Sequence, residues 1–259
     1  MDYAPLRASA DLPPLRVNLY SDTQTKPTPA MKEAMMRAEV GDEQFGLDPT
    51  VNALCDQMAA LMGKEAAVFL PSGTMCNQVA ILTHCRPGDE ILAHETAHIL
   101  TSEGGGAAAL TGAQITGLRG PRGMFDAEAL RAAIRPKTRY APPQTLMEIE
   151  QTANTGGGAV WPVARMNELT AIAHENGMAT HMDGARLMNA VVAAGTSLQE
   201  ALAKVRRNNH ATSAAAGFWW TEGGGDFPPM ALASRGLLDP FSYATMLTGK
   251  LSVKTADVT

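Results

Sequence analysis

The chain has 259 residues, enough for one large domain with a smaller attachment, and is 45% hydrophobic and 18% charged with a formal net charge of −5. That mild acidity offers no clustered basic surface, so nucleic acid and anionic membrane are not expected partners. No apolar run approaches the roughly 18 residues that a membrane span needs.

The N-terminal "MDYAPLRASADLPPL" has no apolar core of the signal-peptide kind, and a cytoplasmic location is expected. "PAMKEAMMRAE" opens on Pro29 and reads as a helix. Helical periodicity returns in "DPTVNALCDQMAALMG", with Pro49 near its start and Gly63 placed to cap its end. "AAVFL" (66–70) is a short apolar run before a Pro-Ser-Gly turn and reads as a buried strand, with "GTMCNQVAILTHC" as the helix behind it. "EILAH" and, more weakly, "QITGL" are strand-like; "DAEALRAAI" is helical and "TLMEIE" a strand. "ARMNELTAIAHENG" is an amphipathic helix, "MATHMD" a strand and "GARLMNAVVAAG" a last helix. Strands spaced by such helices predict a mostly parallel sheet covered on both faces. Past about residue 203 the pattern dissolves: two of the three Trp and the last glycine run lie there, without a clear element of either period. Cys55, Cys76 and Cys85 have no metal-ligand spacing and read as unpaired thiols of a reducing compartment.

His94-Glu95-Thr96-Ala97-His98 matches the H-E-x-x-H pattern of zinc proteases. Those enzymes project both histidines from one continuous helix. Here "EILA" upstream is a strand and Gly104, Gly105 and Gly106 close the downstream side. His94 is therefore expected to end a strand and His98 to begin a helix, and the zinc reading is set aside.

Two other turns carry more chemistry. In "LPSGTMCNQ" a strand runs into Ser72-Gly73-Thr74 and a helix starts, so free N–H groups and hydroxyls meet as at an anion site; a simple N-cap is the competing explanation. In "THMDGARLMNA" a strand ends on Asp183 with Arg186 three residues on, at the sheet mouth where α/β proteins bind ligands. The carboxylate suits a protonated ring nitrogen and the arginine a substrate carboxylate, although an Asp N-cap paired with a first-turn Arg accounts for the same residues. Phosphate cradle, imidazole, carboxylate and guanidinium, in this order along the chain, describe a pyridoxal phosphate enzyme acting on an amino acid.

With "YSDTQTKPTPAM", "VGDEQFGLDPTVNAL", "GKEAAVFLPSGTMCNQVAI", "RPGDEILAHETAHI", "SEGGGAAAL", "IEQTANTGGGAVWP" and "HMDGARLMNAVVA", the chain resembles the threonine aldolase family from about Asn18 to Glu200. These are fold-type-I pyridoxal phosphate enzymes that cleave β-hydroxy-α-amino acids to glycine and an aldehyde. The resemblance implies an α/β fold, the PLP-dependent transferase-like large domain with a mostly parallel sheet, its C-terminal small domain absent or replaced. It divides the chain into an N-terminal extension (1–17), an incomplete cofactor-binding large domain (18–203) and a divergent tail (204–259). It implies that Gly73 and Thr74 bind the cofactor phosphate and that His98 stacks on the ring and moves a proton at the substrate hydroxyl. Asp183 would pair with the ring nitrogen, Ser21 and Arg186 would hold the substrate carboxylate, and Glu103 would organise proton transfer beside them. A homodimer or homotetramer is implied as well.

Three positions depart from the family pattern. Phe45 stands where many relatives carry Tyr, and Ala153 replaces a common His. The lysine that holds the family's cofactor covalently is expected near Ser213-Ala214-Ala215-Ala216-Gly217, where none exists; Lys204, Lys250 and Lys254 lie in contexts that do not match. Two functional readings follow: cofactor-dependent aldol cleavage of L-threonine, L-allo-threonine or related amino acids, and a truncated, non-catalytic relative that binds the cofactor weakly or pairs with a full-length subunit.

Overall fold

The computed structural model describes residue 17, residues 20–197 and two short stretches, 212–216 and 250–254. Helix starts are set by side-chain caps where the sequence supplies them. Thr28 accepts from Met31 N ahead of α1 (Pro29–Arg37), and Asp48 accepts from Thr50 N and Val51 N ahead of α2 (Pro49–Met62). Gly63, at φ 63°, ends α2 in the left-handed conformation that glycine adopts at little cost. There follow β1 (Ala66–Leu70), α3 (Gly73–His84), β2 (Glu90–His94), the single turn α4 (His98–Thr101), a π-helical turn (Ala107–Thr111), β3 (Gln114–Leu118), α5 (Ala127–Ala133) and β4 (Gln144–Glu150). Then come α6 (Val163–Glu175), β5 (Ala179–Gly184), α7 (Leu187–Ala194), β6 (Thr212–Ala216) and β7 (Lys250–Lys254).

The strands form one sheet in the order β1-β7-β6-β5-β4-β2-β3. β3, β2, β4, β5 and β6 run parallel; β7 is antiparallel to both β6 and β1. Successive side chains of a strand point to opposite faces, and the core divides accordingly. Leu92, Met147, Ile149 and Met182 meet Leu54 and Met58 of α2, Leu130 of α5, Leu169 of α6 and Leu187 of α7 on one face. Ile91, Ala93 and Leu146 meet Ile81 of α3 and Ile99 of α4 on the other. Both faces are thus covered, as the alternation of strands and helices predicts.

Two expectations are corrected. β1 is not buried: it lies at the sheet edge, its residues are exposed or half-buried, and Val68 is 53% accessible. An apolar run of five residues does not distinguish an edge from a central strand. The stretch beyond residue 203 is also not without elements, since it supplies β6 and β7. Five residues of mostly Ala are too small and too short to show a period of two.

The parallel strands carry their ends to one rim. Along β4 and β5, Leu146, Glu148 and Glu150 stand in register with Ala179, His181 and Asp183 on the α3 face. That face changes from apolar at Leu146 to acidic at Glu150, and the polar end lies against the start of α3.

Candidate active site

A cleft of about 270 Å³ opens at this rim, lined by residues 20–23, Gly73, Thr74, Asn77, His98, Glu150, Asn154, Asp183, Ala185 and Arg186. The turn between β1 and α3 delivers Gly73 and Thr74, with Ser72 capping the helix through Met75 N at 3.1 Å. The end of β5 delivers Asp183, and the turn after it delivers Arg186. The N-terminal segment crosses from outside and brings Ser21, the cap of a short 3-10 turn (Asp22–Gln24).

Asn77, one turn into α3, organises the centre. Its Nδ2 donates to Glu103 Oε1 at 2.7 Å and to Asp183 Oδ2 at 2.8 Å, and its Oδ1 lies 3.0 Å from His181 Nε2. Both amide protons are committed to carboxylates, so Oδ1 must accept and His181 must carry its proton on Nε2. Asp183 Oδ1 accepts from Ala185 N at 3.0 Å. Gln78 Nε2 donates to Glu103 Oε2 at 2.6 Å, and His98 Nδ1 lies 2.8 Å from Glu103 Oε1.

Glu103 is buried, and desolvation, the strongest single influence, pushes its carboxyl up. The bonds from His98, Asn77 and Gln78 together outweigh that and hold it below its ordinary range. A carboxylate only accepts, so Nδ1–H of His98 donates and Nε2 is the nitrogen left for chemistry. The bond to Glu103 raises the imidazole above its ordinary value, against partial desolvation and with help from the Asp183 charge. Glu150, in register with Asp183 on the next strand, is pushed up to about 7 by burial and then by Asp183. Arg186 grips Asp22 along one edge, Nε to Oδ2 at 2.6 Å and Nη2 to Oδ1 at 2.9 Å.

Every residue predicted from the sequence converges here. Ser21, Gly73, Thr74, His98, Asp183 and Arg186 line the cleft, and Glu103 stands directly behind His98. Arg186 pairs with Asp22 rather than with Asp183, so the simple cap-and-pair explanation of "DGAR" does not describe this turn. Sequence reasoning missed Asn77, Gln78, Glu150, His181 and Asp22. His181 had a signal, since it precedes Asp183 by two residues on a strand and so shares its face; Asn77 and Gln78 had none, because an amide in a helix is unremarkable until its partners are known.

His94 and His98 part as expected. His94 closes β2; its Nδ1 accepts from Thr96 N at 3.1 Å, and its Nε2 therefore donates to Gly120 O at 3.0 Å. Ligand atoms of His98, Glu103 and Asp183 lie within 4.8 Å of one another. Asn77 bridges Glu103 and Asp183, and His98 bonds Glu103 directly.

Of the departures from the family pattern, Phe45 is exposed and does not line the cleft. Ala153 is buried at 2% accessibility, and a Cβ on Gly123 would stand 2.7 Å from its own Cβ. Ala153 therefore packs closely against Gly123. The stretch expected to carry the family lysine falls largely on β6, where Ala215 is in register with Asp183; Gly217 lies outside the described residues. On β7, Lys250 pairs with Leu70 at the cleft end of the sheet, and Lys254 pairs with Ser213 at the far end.

The donor set fits pyridoxal phosphate. Unbonded N–H groups at the start of an α-helix suit a phosphate, a buried carboxylate suits a protonated ring nitrogen, and a guanidinium suits a carboxylate.

Comparison with known proteins gives the same direction. A family model described as beta-eliminating lyase matches residues 18–205. The low specificity L-threonine aldolase of Escherichia coli K12 is 43% identical over 185 residues, which are 71% of this chain and 55% of that protein. The low-specificity L-threonine aldolase 1 of Arabidopsis thaliana is 41% identical over 188 residues, 71% of this chain and 52% of that protein. The chain thus spans about half the length of the curated relatives it matches. Among solved structures, the threonine aldolase of Leishmania major superposes with a TM-score of 0.64 at 18% identity, covering 90% of this chain and 60% of that one.

Proposed function

Since the chain belongs to the beta-eliminating lyase family and has the fold of the fold-type-I pyridoxal phosphate enzymes, we propose that its cleft binds that cofactor together with a β-hydroxy-α-amino acid and cleaves Cα–Cβ to give glycine and an aldehyde. The observation that carries this reading is the convergence of the His98–Glu103 pair, Asp183 and Arg186 around one cleft at the open start of α3.

Gly73 and Thr74 would hold the phosphate through backbone N–H groups and the Thr74 hydroxyl. Asp183, oriented by Asn77 and Ala185 N, would face the ring nitrogen. Bound pyridoxal phosphate supplies a ring that takes up the electron pair released as Cα–Cβ breaks. Arg186 and Ser21 would hold the amino acid's carboxylate. His98 would accept the β-hydroxyl proton at Nε2; Glu103 fixes the tautomer and raises the base strength of the ring. L-Threonine and L-allo-threonine are the substrates of this reading. Assembly into a homodimer or homotetramer belongs to it too, supported by the exposed Met36, Val40, Phe45 and Leu47 and testable by light scattering.

The test is incubation of the purified protein with pyridoxal phosphate and L-allo-threonine, with glycine and acetaldehyde measured separately. Equal amounts of both, falling at least about tenfold in His98→Asn, support the reading; cofactor uptake with no glycine removes the aldol step from it. Borohydride reduction followed by peptide mapping then locates any lysine joined to the cofactor. Lys250, at the cleft end of β7, is the expected site, and label on Lys254 alone would contradict that assignment.

A further inference from the structure

The Asp22–Arg186 pair joins residues 164 positions apart in the chain. It is bidentate, with both carboxylate oxygens on the Nε–Nη2 edge of the guanidinium. A guanidinium has five N–H groups in a fixed plane, so this contact uses two and leaves the Nη1 pair and one Nη2 proton. Nη1 has no hydrogen-bond partner among the described residues, and Arg186 lines the cleft. The two ends of the pair are each held from elsewhere. Arg186 N donates to Gln151 O at 3.3 Å, immediately after the tightly bonded Asp183 turn. Asp22 opens a 3-10 turn in which Thr23 N donates to Ser21 Oγ at 3.2 Å and Gln24 N to Ser21 O at 3.2 Å.

We propose that Asp22 is a positioning residue for the carboxylate of the amino-acid substrate: it holds Arg186 along the Nε–Nη2 edge, keeps the Nη1–Nη2 edge for the substrate, and seats Ser21 beside it. This rests on the aldolase reading for the identity of the ligand. A long arginine left alone in the cleft would lose rotamer freedom each time it engaged a ligand. Anchored to Asp22, it has already lost that freedom, and the planar fork is aimed before the substrate arrives. Asp22 does not compete with the substrate in this arrangement, because the two carboxylates use different edges. The consequence is a discrimination between ligands: the contribution of Asp22 is felt by an amine that carries a carboxylate and not by one that lacks it.

Calorimetric titration of the protein loaded with pyridoxal phosphate separates these effects. Asp22→Asn keeps the shape, replaces one acceptor oxygen by a donor and removes the charge. The expected result is equal uptake of pyridoxal phosphate by wild type and variant, glycine bound about tenfold more weakly by the variant, and ethanolamine, an amine without a carboxylate, bound equally by both. Asp22→Ala should weaken glycine at least as much. Equal cofactor uptake with glycine bound as well or better by Asp22→Asn would overturn the positioning role alone, the second result identifying Asp22 as a competitor of the substrate. Equal weakening of glycine and ethanolamine would overturn it as well, by showing a general disturbance of the cleft. No cofactor uptake by the wild-type protein would overturn the aldolase reading first, and this proposal with it.

Discussion

At the scale of single residues, the site holds two like charges bridged by one amide. Asn77 lies between Glu103 and Asp183 and donates to both, so two carboxylates share a neutral bridge instead of repelling across it. The raised imidazole of His98 depends first on its bond to Glu103. Glu103→Gln should lower the His98 titration followed by the NMR shift of its Cε1–H, and a wild-type-like titration would contradict that dependence. Glu150 offers a second test, through stability. Its carboxyl rises from an ordinary 4.5 to about 7 on folding, by burial and then by Asp183. A group raised in this way contributes its stability in full below about 4.5 and loses it as pH climbs through about 7. Between those limits wild type should lose up to about 3 kcal/mol more than Glu150→Gln, read as denaturant midpoints at pH 4.5 and pH 8.

At the scale of elements, much was legible because each signal was local. The helix starts at Pro29 and Pro49, the stop at Gly63 and the strand that ends on His94 all follow from residues within one turn of the boundary. "TLMEIE" read as a strand, but its polar alternates were not legible as interior: Glu148 and Glu150 are both buried, on the face that meets α3. Alternation announces a face, and only the packing decides whether water or another polar element covers it. The edge position of β1 and the strands β6 and β7 were hidden for the related reason that pairing is non-local. The site was legible where position in a turn fixes chemistry, as at Ser72-Gly73-Thr74 and Asp183. It was illegible where a partner comes from far along the chain, as for Asn77 and Asp22. The close approach of Gly123 to Ala153 is another non-local contact, and it makes a prediction. Ala153→His should destabilise the protein by about 1–3 kcal/mol in urea unfolding through overpacking, without adding an imidazole to the cleft; an unchanged midpoint would show that the loop yields.

At the scale of the whole molecule, the parallel strands β4 and β5 gather carboxylates at one rim while α3 turns its open N-terminus to the same place. No helix among the described residues is long and apolar enough to cross a membrane. The family relationship and the fold make pyridoxal phosphate the cofactor to look for, and the stretch Thr212–Ala216 beside Asp183 carries no lysine. The central claim is therefore that the cleft itself recognises the cofactor, through α3, His98 and Asp183. Equilibrium dialysis of pyridoxal phosphate against the wild-type protein and Asp183→Ala tests it most directly. The account predicts one saturable site per chain in the wild type, weakened at least about tenfold in Asp183→Ala; no saturable site, or equal affinity in both proteins, would contradict it.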